Sequence, residues 1–525
     1  MEYDAIVVGG GIAGLGATAC LAKQGVRVLL CERAPVLGGL LGSRQRQGFT
    51  WERGCTGLQG KGILLPLLRS LGLEERVRLQ PLPVVRHLAG QRIELRSPEG
   101  LEELETVVAR ASGAGGVFTP DGTAIREIFR DINRVREDMA LLDDLDHPLF
   151  HKGGRDYVHT SLLPWLASYQ QSAMSMVRLT RGVRGHLLGR TDNVALVDLL
   201  TQHIPTGTPT YHALSRYGYE KESFYPEGGM GRLVELLAEQ AVADGTELAL
   251  GVEVTAVDPV AHRVTWQDGT ECSYRKLIWA CDLRRLDAVT VGETSPGLAI
   301  RTWQQNLGRG GDSVLSLNVA LDLDASELTE LGPRTIYTAS SEGVTSAGRW
   351  DEALAAGDWV DWLEAYLLLS TYTIACPAMS DASLAPAGQC ALTASVRLDH
   401  RFVAELEKRG ELEVMKQVAE QQMLRVLGQS LVPRLRERLL FSELLTPLDL
   451  AELSGSLDGA VAGWSFAARV MPVERRYTRI MRSVETPIPD VWQCGQWVYS
   501  PGSVASSLLT AKLAAEQVKR ALTEG

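Results

Sequence analysis

Apolar and polar positions follow two different periods along the first thirty or so residues. Residues 4–8 form a short apolar run with β-branched side chains, which predicts a buried strand. Residues 15–24 are rich in alanine and leucine and end before Gly25, which is typical of a helix with a glycine stop signal. Residues 26–31 are again continuously apolar. The pattern therefore predicts a strand, a helix and a second strand in direct succession.

The same periods recur along the rest of the chain. Apolar residues at helical spacing predict helices at residues 64–73, 125–132, 232–243 and 412–427, and a C-terminal helix that opens at 500–503. Strand-like patterns occupy residues 251–257, 264–266, 277–282, 314–321, 366–374 and 390–396. A chain of 525 residues is long enough for about three units of domain size. We expect an α/β fold in which some of these units interleave.

Glycines occupy the turn between the first strand and the first helix at the spacing G-x-G-x-x-G. Gly9 permits a tight turn, Gly11 lets a pyrophosphate approach the backbone, and Gly14 lets the helix pack close to the strand. Ile12 and Ala13 lie between the last two glycines, at the start of the helix. A strand, glycine turn, helix and strand in one unit predict a dinucleotide site.

An acid and a second pair of glycines follow this unit. Glu32 stands at the end of the second strand. An acid that binds a ribose hydroxyl is expected roughly 20 residues after the last glycine of the turn, and the spacing from Gly14 to Glu32 is close to that. A carboxylate there repels a 2′-phosphate, which disfavours NADP but does not separate NAD from FAD. Arg33 comes next, and Gly38 and Gly39 stand a few residues beyond it.

This stretch resembles the FAD motif of a large flavoprotein group that includes amine oxidases, phytoene desaturases and carotenoid isomerases. Members usually carry an arginine after the glycine pair, where this chain has Leu40, with Arg44 and Arg46 further on. The resemblance implies a Rossmann-like FAD-binding domain of the GR2 type and an FAD held without a covalent bond. The cofactor contacts that it implies, some of them in the later segments described next, fall on Gly9, Gly11, Ile12, Ala13, Gly14, Glu32, Arg33, Gly38, Gly39, Val254, Gly495, Ser503 and Val504.

Two later segments resemble the other parts of the same FAD domain. A glycine turn, helix, strand and hairpin follow residue 224, and in this family the backbone at Val254 would meet the adenine. Gly495 ends a short strand, and Ser503 and Val504 open a helix whose N-terminus points at the flavin ring in the family, where it stabilises negative charge. The resemblance thus predicts an interleaved α+β substrate domain. It implies an FAD domain at residues 1–85, 226–288 and 446–525 and a substrate domain at residues 86–225 and 289–445.

Composition narrows the class of protein. The net charge of -11 argues against a nucleic-acid partner. No apolar run approaches the ~18 residues of a membrane span, and the first strand leaves no room for a signal peptide. Eight scattered cysteines without a C-x-x-C pair are typical of reduced thiols, and nine histidines lack paired metal spacing. We expect a cytoplasmic protein without a metal, with a peripheral membrane contact left open.

Flavin would carry the electrons, so the protein need not supply a nucleophile. The leading hypothesis is desaturation or double-bond isomerisation at a C–C bond of a largely apolar substrate, such as a polyene, an isoprenoid or a secondary metabolite. One alternative is oxidation of a C–N bond, as in amine oxidases on the same fold. Another is a non-catalytic prenyl-binding escort protein, which the intact glycines and acid disfavour. The sequence does not indicate the electron acceptor or the oligomeric state.

No residue is assigned a catalytic role. Three aromatic residues flank the expected ring region and either shape the pocket or pack in the core: Trp464, Trp497 and Tyr499. Cys494 lies nearby, but its place in a strand favours a buried core role over a covalent flavin link. Aromatic and methionine residues that line an apolar cavity or belong to plain core are Trp165, Tyr169, Met174 and Met176.

Overall fold

The computed structural model of the protein describes residues 2–97, 99–115, 119–143, 147–150, 155–292, 310–467, 481–498 and 501–524. Two seven-stranded sheets organise this part of the chain. Helices cover both sheets, so the predicted α/β fold class is confirmed. Tyr499, which the sequence placed beside the ring region, lies outside the described residues.

The first sheet, here called the nucleotide sheet, is built around the N-terminal strand. Its strands run in the order Val254–Asp258, Arg263–Trp266, Glu271–Trp279, Glu2–Val8, Val28–Glu32 and Glu247–Leu250, with Val491–Gln493 beside the end of Glu271–Trp279. Glu2–Val8 is parallel to both of its neighbours. Its side chains at Ile6 and Val7 are fully buried on the two faces, which explains the continuous apolar run.

The second sheet, here called the substrate sheet, is antiparallel except for one parallel pair. Its strands run in the order Leu439–Leu445, Val314–Leu321, Cys390–Arg397, Thr371–Ala375, Arg334–Thr338, Val84–Leu88 and Gln91–Glu94. Strands of the nucleotide sheet come from three stretches of the chain that are separated by strands of this sheet. The segment boundaries predicted above stay a prediction, and the boundary after residue 85 falls inside Val84–Leu88.

The helices have these bounds: Ile12–Ala22, Lys61–Leu71, Gly100–Ala111, Pro120–Asp143, Arg155–Tyr157, Leu163–Arg178, Val183–Leu188, Val194–Thr201, Thr210–Lys221, Gly231–Ala243, Leu283–Val289, Trp350–Ala356, Trp359–Leu369, Pro377–Ser380, His400–Lys408, Leu412–Ser430, Leu435–Arg438, Pro447–Ser454 and Val504–Glu524. Short 3₁₀ or π turns occupy Gly39–Leu41, Glu74–Arg76, Pro148–Phe150, Val158–Leu162, Ala325–Glu327, Val344–Ala347 and Ala382–Leu384. Two small strand pairs are Ser43–Arg46 with Phe49–Glu52 and Leu79–Pro81 with Phe224–Pro226.

Three of the predicted strands are wrong in part. The strand predicted at 277–282 begins at Glu271 and ends at Trp279. Residues 366–374 were expected to form one strand, but a helix ends at Leu369 and a strand begins only at Thr371. Trp359, Trp362 and Leu363 bury one side of that helix at helical spacing, and this packing decides its structure. The strand predicted at 251–257 begins at Val254, because the preceding residues form a turn that includes Gly251 with a positive φ.

The two faces of the substrate sheet differ in polarity. Alternate residues such as Leu315, Leu317 and Val319 are fully buried and pack in a core with the helices Trp359–Leu369 and Leu412–Ser430. The residues between them are polar, and they face a cavity rather than bulk water. This cavity continues to the nucleotide sheet and holds the candidate site.

Candidate active site

A single cavity of about 1680 Å³ joins the nucleotide sheet to the substrate sheet. Pockets for one small ligand usually measure roughly 300–1,000 Å³, so this cavity has room for a dinucleotide and a second molecule. We call its part along the nucleotide sheet the cleft and its part along the substrate sheet the chamber. Most of the cofactor residues expected from the sequence lie in its wall: Gly9, Gly11, Ile12, Ala13, Glu32, Arg33, Gly38, Gly39, Gly495, Ser503 and Val504.

The first glycine turn forms the floor of the cleft. Gly9 has a φ of 109°, which side chains rarely adopt, and so turns the strand sharply into the helix Ile12–Ala22. Above Gly11 there is open space, since a Cβ built there meets no atom within 4 Å. No side chain caps the helix N-terminus at Gly11, so its first N–H groups are available to an anionic ligand. The arrangement fits the pyrophosphate of the expected cofactor.

Gly14 and Val254 do not line the cavity. A Cβ at Gly14 would lie 1.8 Å from the carbonyl oxygen of Gly9, so this glycine serves the close packing of helix on strand. Val254 is buried in the core of the nucleotide sheet, while its neighbour Glu253 lies in the cavity wall with Gln267. The predicted contact between the backbone at Val254 and an adenine stays a prediction.

The second glycine pair lies directly against the first turn. The N–H of Gly38 donates a 2.8 Å hydrogen bond to the carbonyl of Gly10, and a Cβ at Gly39 would lie 3.5 Å from Gly11. Glu32 ties the same corner together, because its carboxylate accepts hydrogen bonds from the N–H groups of Gly10 at 2.6 Å and Ala34 at 2.8 Å. Each carboxylate oxygen keeps a further lone pair for a ribose hydroxyl.

The C-terminal segment closes the cleft from the other side. The N–H of Gly495 donates to the hydroxyl of Thr510 at 2.9 Å, and a Cβ at Gly495 would lie 3.2 Å from that of Ala13. The helix Val504–Glu524 packs on Ile12–Ala22, where a Cβ at Gly16 would lie 2.8 Å from Leu508. Its N-terminus at Ser503 and Val504 therefore opens into the same cavity as Glu32, although the two lie far apart in sequence.

Arg53 is a cleft residue that the sequence did not single out. Its guanidinium lies beside Gly42, 3.2 Å from a Cβ built there, and it has no hydrogen bond or ion pair within the described part of the chain. Burial and the nearby Arg44 lower its pKa. Arg44 pairs with Glu443 at 2.7 Å, and Arg46 lies over the ring of Phe441. Family members usually have an arginine at the position of Leu40. In this chain Arg53 instead places a positive charge without a described carboxylate partner beside the glycine pair.

We expect Arg53→Ala to weaken FAD binding roughly 10- to 150-fold, because one charge-assisted hydrogen bond contributes about 1.5–3 kcal/mol. Titration of the apoprotein with FAD, followed by quenching of flavin fluorescence, measures this change. Arg46→Ala is the matched control, since Arg46 faces Phe441 and is expected to leave the affinity unchanged. Equal affinities of the wild type and Arg53→Ala would exclude the role.

Arg33 is committed to the edge of the cleft. Its guanidinium donates to the carbonyls of Glu452 and Ala451, at the C-terminal end of the helix Pro447–Ser454. A cation at that end of a helix is favourable. Arg33 thus fastens this helix over the cleft, and its direct contact with the cofactor stays a prediction.

The chamber has a polar floor, which the sequence reasoning missed. Hydroxyls and an amide pair across strands, with Ser316 on Ser395 at 2.7 Å and Thr393 donating to Asn318 at 2.8 Å. Polar residues of the floor that line the cavity are Ser316, Asn318, Thr371, Thr373, Thr393, Ser395, Arg334 and Arg397. The alternation was visible in the sequence, but a polar strand face usually indicates solvent.

The roof of the chamber is more apolar. Trp165 and Tyr169 stack at 4.9 Å with an interplanar angle of 10°, and both line the cavity together with Met176. Met174 does not, because its side chain is 53% exposed on the outer face of the same helix. The cavity interpretation of this stretch thus holds for three of its four residues.

Trp464 and Trp497 both line the cavity. Trp464 is 1% exposed and donates from its indole nitrogen to the carbonyl of Val498 at 3.1 Å. The ring of Trp497 carries the guanidinium of Arg284 at 5.0 Å. Both indoles line the cavity and also pack in the core of the nucleotide sheet, so they combine the two roles that the sequence left open.

Titratable groups around the cavity are shifted toward their neutral forms. Burial raises the pKa of the Cys494 thiol well above its usual range and that of Cys281 to about 12. Burial also lowers the pKa of His212 to about 4, beside the ring of Phe466 at 5.6 Å. The cysteines are therefore protonated thiols, and His212 is a neutral imidazole at neutral pH.

His212 predicts a specific sensitivity to acid. Its folded pKa lies below the unfolded value, so the stability that it contributes is complete above pH 6.5 and is lost as the pH falls toward 4. Between pH 7 and pH 4.5, the unfolding free energy of His212→Gln is expected to fall by about 2 kcal/mol less than that of the wild type. Urea unfolding at both pH values measures this difference. Parallel losses in the two proteins would contradict the burial of a neutral His212.

The described residues include neither a membrane-spanning helix nor a cluster of metal ligands. None of the helices there is both long and apolar enough to cross a membrane. Among the same residues, no three histidine, cysteine or acidic side chains are grouped so that they could hold a metal ion.

Comparisons with known proteins agree with this geometry. Residues 12–343 match the model of the family described as flavin containing amine oxidoreductase. Prolycopene isomerase 2, chloroplastic, of an Oncidium hybrid cultivar is 41% identical over 90 residues, which are 16% of this chain and only 15% of that protein. Prolycopene isomerase, chloroplastic, of Arabidopsis thaliana is 24% identical over 461 residues, which cover 85% of this chain and 71% of that protein.

A solved structure shows the same fold. Cyclohexylamine oxidase from Brevibacterium oxydans IH-35A superposes with a TM-score of 0.60 at 12% identity and covers 100% of both chains. At this identity the likeness concerns the fold and not the substrate.

Proposed function

Because this chain belongs to the flavin-containing amine oxidoreductase family, we propose that it carries out redox chemistry at a carbon–carbon bond, either desaturation or double-bond isomerisation. The family makes it an FAD-dependent oxidoreductase, so the escort hypothesis is not retained. Bound FAD supplies the capacity to accept and return a hydride. The residues of the chain bind the cofactor, hold the substrate and exclude water.

The positive charge of the chamber wall is the observation that favours C–C over C–N chemistry. Arg216 and Arg334 line it, and no described carboxylate pairs with either guanidinium. A substrate amine is protonated at neutral pH and would be repelled by these cations. A carbon–carbon bond needs no cationic group on the substrate, so the same chamber suits it. The similarity to prolycopene isomerase over 85% of the chain supports this proposal.

The neutral groups near the cleft also suit this chemistry. His212 is uncharged, the thiols are protonated, and the indoles of Trp464 and Trp497 are held by fixed neighbours. Such a wall excludes water and offers a flat apolar surface, while the N-terminus of Val504–Glu524 offers positive potential. Desaturation would remove two hydrogens from the substrate, whereas isomerisation would leave its composition unchanged.

An anaerobic screen of the FAD-loaded protein tests the proposal. Polyenes and isoprenoids are expected either to bleach the flavin absorption band or to emerge as changed double-bond isomers in chromatography. Primary amines are expected to do neither and, in air, to release no hydrogen peroxide. Bleaching and peroxide release with amines alone would overturn the proposal in favour of C–N oxidation. The FAD-free protein is the control.

A further inference from the structure

Four arginines meet at one end of the chamber. Arg86 and Arg334 lie on neighbouring parallel strands, Arg397 ends the strand Cys390–Arg397, and Arg216 lies on the helix Thr210–Lys221. Arg216, Arg334 and Arg397 line the cavity. Three separate elements of the fold therefore direct positive charge to one place.

Two of these arginines have carboxylate partners. Arg86 and Glu220 form a bidentate pair, with hydrogen bonds of 2.8 and 3.0 Å, and their side chains are only 7% and 8% exposed. Arg397 pairs with Asp312 and also donates to the carbonyl of Ile204 at 2.5 Å. These two positive charges are balanced within the protein.

The other two arginines are not balanced. Arg216 donates one hydrogen bond of 3.2 Å to the carbonyl of His203 and pairs with no described carboxylate. The guanidinium of Arg334 has no hydrogen bond or ion pair to any described residue, and its Nε is buried without a partner. Burial and the neighbouring arginines, Arg334 first among them, lower the pKa of Arg216 to about 10, although the Glu220 carboxylate that pairs with Arg86 acts in the opposite direction. Arg216 remains a cation at neutral pH.

His203 adds a further donor without an acceptor. Its Nε2 lies 3.2 Å from Nη2 of Arg86, and a guanidinium can only donate, so Nε2 accepts and Nδ1 carries the proton. Burial and the surrounding arginines lower the pKa of His203 well below its usual value, so the ring is neutral. Within the described residues, Nδ1 of His203 and Nε of both Arg334 and Arg397 are buried donors without partners.

Buried donors without acceptors, and buried cations without anions, are costly and rare in folded proteins. Here three of them belong to residues that line one cavity together with Arg216, so an acceptor bound in that cavity would lie beside two guanidiniums without described carboxylate partners. Two guanidiniums and a ring N–H match the oxygens of a carboxylate or phosphate. The apolar roof at Trp165, Tyr169 and Met176 matches a hydrocarbon body.

We propose that the substrate of this enzyme is an unsaturated apolar chain that carries one anionic headgroup, a carboxylate or a phosphate, bound by Arg216 and Arg334. This inference rests on the proposed function, which it refines. It replaces the largely apolar substrate expected from the sequence with an amphipathic one. The headgroup anchors the chain at the arginine end, so that the anchor decides which bond of the chain lies beside the cofactor.

Calorimetric titration of the FAD-loaded protein with matched pairs of compounds tests the headgroup. The probes are retinoic acid against retinol, and farnesyl phosphate against farnesol. At least one anion is expected to bind roughly 10- to 100-fold more tightly than its alcohol, which is the range for hydrogen bonds to charged groups. Preference for the acid or for the phosphate identifies the headgroup. Equal binding of both anions and both alcohols would overturn the proposal.

Two variants locate the site. Arg216→Met and Arg334→Met are each expected to reduce the preference for the anion roughly tenfold. Without ligand, Arg334→Met is expected to raise the thermal midpoint, because it removes an uncompensated buried cation. A merely structural arginine would give a lower midpoint and an unchanged preference, and that result would overturn the assignment. Arg78→Met is the control, since Arg78 is largely exposed and its ion pair with Glu227 is long, at 3.8 Å.

These experiments distinguish failure of the headgroup proposal from failure of the proposed C–C chemistry. Tight binding of an anion without bleaching or isomerisation would retain the headgroup site and reject C–C redox chemistry. Bleaching or isomerisation with acids and neutral polyenes alike, and equal affinities for both, would retain the chemistry and reject the headgroup site.

Discussion

Gly14→Ala is expected to destabilise the protein by at least about 3 kcal/mol and to prevent FAD retention, because the added methyl group cannot be accommodated. Its Cβ would lie 1.8 Å from the carbonyl oxygen of Gly9 and 3.2 Å from the side chain of Ala280. The first contact is with backbone, so no side-chain rotation relieves it. The helix Ile12–Ala22 would have to move off the strand Glu2–Val8, and the cleft would open with it.

Gly11→Ala is the matched variant, and it is expected to weaken FAD binding without lowering stability. A Cβ at Gly11 meets no protein atom within 4 Å, so the thermal midpoint of the apoprotein is expected to stay the same. The methyl group would instead occupy the space of the pyrophosphate and weaken FAD binding by roughly tenfold or more, equivalent to about 1.4 kcal/mol. Midpoints without FAD and titrations with FAD separate the two variants. Comparable loss of midpoint in both would refute this division of roles.

Glu220→Ala has the second large expected effect. Glu220 is the bidentate partner of Arg86, and both side chains are almost completely buried. Removing one partner of a buried ion pair costs about 3–5 kcal/mol, because the other charge is left without compensation. Here the abandoned cation would also face Arg216, Arg334 and Arg397. Urea unfolding is expected to show the loss as a lower midpoint.

A double variant separates the charge effect from packing. Arg86→Met combined with Glu220→Leu removes both charges and keeps apolar volume, so it is expected to recover most of the loss. Glu437→Ala is the control, since its pair with Arg434 is exposed and is expected to contribute nothing measurable. If the double variant is as unstable as Glu220→Ala, uncompensated charge is not the cause.

The cofactor half of the molecule could be predicted because its signals are local. Gly9, Gly11 and Gly14 lie within six residues of one another; the local backbone requires glycine at Gly9 and Gly14, and Gly11 leaves open space above the same turn. Glu32 belongs to the same unit and reaches back to the N–H of Gly10. The resemblance to the flavoprotein family is confirmed by the match over residues 12–343.

Arg53 is a cleft residue that the local sequence pattern did not identify. The sequence directed attention to Arg44 and Arg46, which follow Leu40 most closely, but strand pairing turns these two toward Glu443 and Phe441. Arg53 stands after the second strand of the hairpin Ser43–Arg46 and Phe49–Glu52. The fold of this hairpin brings it back to Gly42, and a distance along the chain does not contain that information.

The character of the chamber was decided by tertiary structure alone. The residues Ser316, Asn318, Thr393 and Ser395 alternate with leucine and alanine, and such alternation predicts a strand but not what covers its polar side. In the folded protein that side lines a cavity, and Arg216 of the helix Thr210–Lys221 lines the same cavity close to Arg334. Covering a polar face in this way converts a solvated surface into the wall of a cavity.

The sequence by itself determined the strands and helices of the nucleotide sheet, the dinucleotide cleft and the family, because glycine geometry and apolar periodicity act between near neighbours. Only the tertiary structure decided which arginines meet, which of them find carboxylates and which are left facing a cavity. Ion pairing depends on positions in space, and Arg86, Arg216, Arg334 and Arg397 come from widely separated parts of the chain. The preference for an anionic headgroup proposed above therefore rests on the assembled fold and not on local sequence.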